Sequence, residues 1–526
     1  MKNTFPYTLI VPLLLLIATT VMIYPYFQYY VDPDAVAYLT ISKRYAAGDT
    51  WTAVNGYWSP WSCWLTALFI KQGLEAFKAA ILVNAIGASG CLIASVVLFA
   101  RFISDRLTIM ALSATLALFL SYTIFKQSFA DLWYIFFLMV VLILMIHRNF
   151  LKAPWMWVAA GALGSLAYYA KAYAFPYFIL SILVVVAIRI RREYAAFNYK
   201  RWLLVSGVVV CIMFFFSFPW LWLLHEKYGK WMTSSAGSLN LSWYLVGHPY
   251  FKEGIGLLIP PVYPDAVYYW EDPYLVNGPA PHFWNSPKLL LMQLVRGGYT
   301  MLKLVNSMNE LSAFFLLITL FCVAAVFSKK LRQFFPADLY ILCVVFLLFP
   351  LGYLLINFES RYLWFLVPVS MVVGALLINK TGFILQSGRL RSGLLMVFCI
   401  SFLVFPVWDM KTLFRAGEKE FLLARQLKQA GIKGSFASNV SELEPLQAVI
   451  RMAYFSGNSF YYMPWMPQRQ SDLLKELRQY HVKYYFHFHE PFDGVNIRCK
   501  DENGLPLPVV FEDTVLSGLR VYQLNP

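Results

Sequence analysis

The stretch YTLIVPLLLLIATTVMIYPYFQYYVDPD, residues 7–34, decides how this chain is read. Tyr7 to Tyr30 carries no charge, and then Asp32 and Asp34 flank Pro33. A helix crossing a hydrocarbon core of ~30 Å needs about 20 mostly apolar residues, and the first part of the stretch supplies them. A carboxylate is costly inside lipid, so acids placed at such a boundary face water or do work. No small-residue cleavage site follows the span, and it is too long for a signal h-region. It therefore reads as a retained anchor.

Working outward, about ten more apolar stretches follow. The expected spans are 7–27, 78–100, 107–125, 130–147, 154–170, 173–190, 202–224, 309–328, 338–357, 362–379 and 392–408. Of 526 residues, 60% are hydrophobic, 18% aromatic and only 13% charged; soluble domains carry roughly 25% charged residues, too many to match this chain. The expected fold is a polytopic α-helical membrane protein with about eleven transmembrane helices.

The net charge of +15 does not point to nucleic acid. Its Lys and Arg residues sit in short clusters between spans, with no basic arm and no nucleic-acid motif. Arg101/Arg106, Arg148/Lys152, Arg189/Arg191/Arg192/Lys200/Arg201, Lys329/Lys330/Arg332 and Lys380/Arg389/Arg391 fall in alternate loops. That is the positive-inside pattern and places the N-terminus in the cytoplasm. An odd number of spans delivers the C-terminal segment to the other side. The compact chain, without eukaryotic sorting signals, fits a multi-pass protein of a bacterial inner (plasma) membrane. The seven cysteines are scattered, which argues against a disulfide framework or structural zinc.

Three non-spanning segments share the outer face: loops at about 28–77 and 226–306, and the C-terminal part, 409–526. The first holds a helix-like stretch, Ala35 to Ala47, with Gly48 as its C-cap. The second is rich in Trp, Tyr, Pro and Gly, and its length favours an ordered lid or binding loop. The third alternates in period. Helices are expected at 418–430, 442–455 and 470–480, and strands at 435–438, 459–463, 483–488, 509–511 and 519–524. This reads as a small α/β domain with a largely parallel sheet. The division is thus 1–408 as the membrane domain and 409–526 as an extracytoplasmic domain.

Several ionisable residues map to the outer end of the bundle. If α-helical, residues 35–47 place Asp34, Tyr38 and Ser42 on one face, able to present a carboxylate, a phenol and a hydroxyl to one cavity. The plainer reading is that Asp32 and Asp34 only cap that helix, with Pro33 in its first turn. Asp131 opens the fourth span, where a helix dipole alone would favour an acid. Lys171 interrupts an apolar run near the outer face, where snorkelling explains a lysine. Glu359 and Arg361 occupy a short loop, a pairing that is often only a weak surface contact. Together, cations at a water–lipid boundary suit an anionic headgroup such as a phosphate. His225, His248 and His282 lie in the second loop, and His487 and His489 on one strand face. Neither group has zinc-site spacing, so no metal ligand is assigned; a divalent ion remains open but is not indicated.

Taken in order, Asp34 with Tyr38, Trp58-Ser59-Pro60, Asp131, Ala170-Lys171-Ala172 before Pro176, and Arg361-Tyr362 with Pro368 resemble the GT-C class of integral-membrane glycosyltransferases. The resemblance is to the branch with protein O-mannosyltransferases and the lipid A aminoarabinose transferase, and it covers about 1–408. The chain departs from that branch at two places. Ala35 stands where relatives often carry a second acid, for which Asp32 offers a substitute. Trp58-Ser59 stand where the aminoarabinose branch has a lysine before Pro-Pro.

The resemblance implies a polyprenyl-phosphate-sugar donor and a protein, glycan or lipid acceptor on the outer face. It further implies Asp34 or Asp32 as base, Arg361 and Lys171 on the donor phosphate, and Asp131, Tyr38, Trp58, Ser59 and Glu359 in support. A transporter or lipid flippase is the rival reading. Neither a midplane site nor repeated halves, the marks of many transporters, is visible in the sequence.

Overall fold

The computed structural model describes residues 5–126, 129–194, 196–246, 258–277, 281–330, 335–356, 358–384, 386–440, 443–463, 470–488, 507–513 and 518–524. Helix α1 (Phe5–Phe27) has lipid-type exposure: Leu14, Ile17, Val21 and Met22 all face outward. Amphipathic α2 (Pro33–Ala47) follows at once, capped by Asp32 and ended by Gly48 at φ 87°, as the sequence leads one to expect. Short α3 (Thr50–Ala53) and α4 (Pro60–Lys71) complete the first outer segment.

The bundle continues with α5 (Ala76–Phe102), α6 (Arg106–Phe125), α7 (Asp131–Ile146), α8 (Pro154–Ala170), α9 (Ala174–Glu193) and α10 (Tyr199–Tyr228). Further along come α11 (Ala236–Val246), α12 (Pro273–Asn277), α13 (Pro287–Leu311), α14 (Phe315–Phe327), α15 (Ala337–Leu348), α16 (Leu366–Ile384) and α17 (Gly388–Thr412). At one end, Arg101 and Arg189 share Asp338 (2.5 and 3.4 Å), and Arg391 pairs with Asp105. These contacts gather three of the basic loops.

Each of the eleven expected stretches holds a helix, but seven are long and apolar enough to cross a membrane. An eighth arises if α13 and α14 form one broken span, so the count of eleven is not established. These two helices are bent by 118° around 312–314. Residues 287–311, read as the end of an outer loop, are therefore a helix. Its apolar face bears Leu291, Leu294, Val295 and Leu302, all exposed. A stripe of that kind on a helix set across the bundle suits the membrane interface.

The C-terminal part folds as α18 (Glu418–Gln429), β1 (Ser435–Ser438), α19 (Leu443–Ser456), β2 (Ser459–Tyr461), α20 (Gln470–Gln479), β3 (Tyr484–Phe488), β4 (Val509–Asp513) and β5 (Leu519–Gln523). The sheet order is β2-β1-β3-β5-β4. It is not largely parallel: β1 pairs in parallel with β2 and β3, while β5 runs antiparallel to both β3 and β4. The link from β4 to β5 is too short for the crossover that a parallel pair requires.

This part docks on the outer end of α1. The Arg415 amide donates to the Tyr26 carbonyl (3.0 Å), and Tyr29 stacks on Phe421 with ring centroids 4.3 Å apart. Gly417 makes the approach at φ 85°; a Cβ there would lie 1.9 Å from the Tyr29 carbonyl oxygen.

Candidate active site

Pro33 starts α2 because a proline needs no partner for its missing N–H in a first turn. Asp32 is thereby left as the cap, its Oδ1 accepting from the Ala35 amide at 2.7 Å. Asp34, one residue inside the helix, turns its carboxylate elsewhere: Oδ2 accepts from Nη2 of Arg361 at 2.8 Å. Both sequence-level readings therefore hold, one for each acid.

Arg361 lies in a 3-10 turn, Ser360–Leu363, that enters α16. Its Nε reaches Glu359 Oε2 at 2.6 Å, so one guanidinium bridges two carboxylates. Beside it, Lys171 leaves the end of α8 and pairs with Asp131 at the start of α7. The Lys171 ammonium also sits over the Tyr362 ring, 4.3 Å from its centroid, which ties the two ion pairs together. Asp34, Arg361, Glu359, Lys171 and Asp131, scattered over the sequence, thus occupy one polar recess.

Asp34 keeps 32% and Glu359 44% of the side chain open, so water reaches an otherwise enclosed place. Burial raises the Asp34 carboxyl above its usual range despite Arg361 beside it. Asp32 is pushed up to about 7, first by burial and next by the charge of Asp34. Burial alone would raise Glu359 too, but Arg361 outweighs it and holds that carboxyl below its usual range. The recess thus contains one acid held ionised and two held nearer neutrality.

Tyr38 and Trp58 are buried and pack edge to face, with centroids 5.1 Å apart. Trp58 Nε1 donates to the Trp270 carbonyl (3.0 Å). They form the floor under Asp34. Ser59 is the N-cap residue of α4 without a side-chain capping bond. Ser42 offers no hydroxyl to a cavity, contrary to the helical-face expectation. It is buried, and its Oγ donates to the carbonyl of Tyr38 in its own helix (2.7 Å). His248 and His489 lie outside the described residues. Among the described residues no group of three or more His, Cys, Asp or Glu side chains is placed to share a metal ion.

Sequence reading missed the aromatic and ionic frame around the recess. Tyr362, Tyr353 and Tyr173 stack in a ladder, at 4.7 and 3.9 Å. Tyr57 donates to Asn240 (3.2 Å) and meets Trp270 edge-on. Glu271 and Asp272, from the second outer segment, are fully buried against Arg44 (2.7 Å) and Lys227 (3.4 Å). The available signal was an acid pair inside the aromatic run Tyr268-Tyr269-Trp270-Glu271-Asp272-Pro273.

This arrangement of bundle, outer helices and sheet matches a solved structure, ArnT from Cupriavidus metallidurans bound to undecaprenyl phosphate. The match has a TM-score of 0.55 and 12% identity over 99% of this chain and 97% of that one. The chain has the fold of ArnT. The apo state of ArnT gives a TM-score of 0.50 with the same identity and coverage. The sequence matches no family model and no curated protein. ArnT is a lipid A aminoarabinose transferase of the GT-C class, so the resemblance seen in the short motifs extends to the fold along nearly the whole chain.

Proposed function

We propose that the chain is a membrane glycosyltransferase that moves a hexosyl or pentosyl group from a polyprenyl-phosphate donor to an acceptor on the extracytoplasmic face. The carrying observation is Arg361 held between Asp34 and Glu359 at the end of the bundle that bears α2. A guanidinium is a strong phosphate partner, and a carboxylate beside it is suitably placed to take an acceptor proton. The undecaprenyl phosphate bound by ArnT supports a polyprenyl phosphate as the donor carrier here.

The reaction is an inverting single displacement. The acceptor oxygen or nitrogen attacks the anomeric carbon as the bond from that carbon to the phosphate oxygen breaks. Asp34 takes the acceptor proton, and Arg361 with Lys171 stabilises the charge gathering on the phosphate. The phosphate leaves as an anion, so the second carboxylic acid that glycosidases need is not required. Asp131 keeps Lys171 in place, and Tyr38 and Trp58 support the sugar side. In this reading residues 1–408 form the catalytic membrane part, and 409–526 face outward with the N-terminus inside.

The test is transfer of labelled sugar from polyprenyl-phosphate donors by the purified full chain in lipid nanodiscs. Asp34→Asn is expected to abolish transfer while keeping donor binding. Arg361→Ala is expected to weaken donor binding. Full activity in Asp34→Asn would reject the assignment of the base, and no transfer by the unmodified chain with any donor would reject the reading.

A further inference from the structure

Residues 258–272 run as a strap between the C-terminal sheet and α2. On one side the strap joins the edge strand β2. The Phe460 amide donates to the Val267 carbonyl (2.7 Å), and Ile259 and Tyr462 exchange bonds of 2.8 and 3.1 Å. The Tyr269 ring stacks on Tyr462, with centroids 5.3 Å apart.

On the other side the strap grips α2 at both ends. The Tyr268 hydroxyl donates to the carbonyl of Pro33, the residue between the two acids (2.7 Å). Arg44, in the last turn, donates from Nη2 to Glu271 (2.7 Å) and from Nε to Asp265 (2.9 Å). The Glu271 carboxylate also accepts from the Val267 amide (2.6 Å). Its backbone carbonyl accepts from Asn55 Nδ2 (2.6 Å), and Asn55 Oδ1 in turn accepts from the Tyr57 and Trp58 amides.

Arg44 is 3% exposed and Glu271 not at all. A buried ion pair is weak evidence of stabilisation, since packed apolar groups often serve as well. What this pair does supply is directional fixing. A helix held by hydrogen bonds at its first and last turns can neither slide nor rotate.

We propose that the strap, seated on the C-terminal sheet, sets the pose of α2 so that Asp34 meets Arg361, with Tyr268, Arg44 and Glu271 as positioning residues for sugar transfer. This rests on the transferase reading above. Tyr268, Arg44 and Glu271 make no listed contact with Asp34 or Arg361, so the effect passes through the helix.

Two variants of the full chain test it: Tyr268→Phe, which removes one hydroxyl and keeps the ring, and Glu271→Gln, which strands the Arg44 charge. Each is expected to lower kcat by about ten- to a hundredfold, as a misplacement of ~1 Å does, with donor KM little changed. The acid limb of the kcat profile is expected to move to higher pH. Asp34 faces Asp32 on its own helix, Asp131 from α7, and Glu359 and Arg361 from the 3-10 turn, with Lys171 beyond on Asp131. Loosening the contact with Arg361 takes away the cation that favours its ionised form. The double variant is expected to lose less than the product of the single losses, since both loosen one helix.

Amide hydrogen exchange supplies a readout independent of activity: exchange over 33–47 is expected to quicken in both variants, with 435–461 unchanged. An unmoved acid limb, a loss confined to donor KM, or unchanged exchange in α2 would each overturn the proposal. If the unmodified chain transfers nothing, the transferase reading fails, and the exchange data still decide whether the strap holds α2.

Discussion

Asp32 and Asp34 share a dipeptide spacing and serve different ends because Pro33 fixes where the helix starts. The capping role of Asp32 sets the first residue-scale prediction. Asp32→Ala should cost about 1 kcal/mol of stability, the usual loss for an N-cap acid, measurable as a lower unfolding temperature. Glu359 sets the second. Its charge raises the Asp34 carboxyl and competes for Arg361. In Glu359→Gln a negative neighbour disappears and Arg361 turns wholly to Asp34, so ionisation becomes easier. The acid limb of the kcat profile should therefore move to lower pH; a move upward would contradict the described geometry. The Asp34–Arg361 meeting was legible because both residues interrupt apolar runs at one predicted face. The Arg44–Glu271 pair was not, since its partners stand 227 positions apart and nothing local in either segment marks the other.

The elements were most legible where chain chemistry marks their ends. Asp32, Pro33 and Gly48 bound α2, and helices and strands of the C-terminal part fall within a few residues of their expected places. Two features escaped. The break between α13 and α14 was hidden because the apolar run 309–328 continues across it without a proline or charge. The antiparallel half of the sheet was hidden because helices separate only β1, β2 and β3, and the parallel rule was carried past the last of them. The junction of membrane part and sheet yields an element-scale prediction. Gly417→Ala would force a methyl group against the Tyr29 carbonyl and a non-glycine residue to φ 85°. A loss of about 1–3 kcal/mol is expected from such overpacking, seen as a lower unfolding temperature and greater protease access near 413–418.

At the scale of the whole molecule, charge sets orientation. Basic loops gathered at one end by Asp338 and Asp105, and the Asp34–Arg361 recess at the other, match the expected placing of the N-terminus in the cytoplasm. A phosphatase reporter that folds only under oxidising conditions should be active when fused after residue 526 and silent in a loop such as 191–200. Activity in the loop fusion would reverse the assignment. The strap over β2 has a further consequence for how copies of this protein coexist in a crowded bilayer. An open strand edge is a template on which a neighbouring chain can add its own backbone. Ile259 and Val267 already occupy one margin of the sheet, and the irregular register between Val509 and Phe511 disrupts the other. Neighbouring molecules can thus be packed densely at the membrane surface without zipping together into fibrous aggregates.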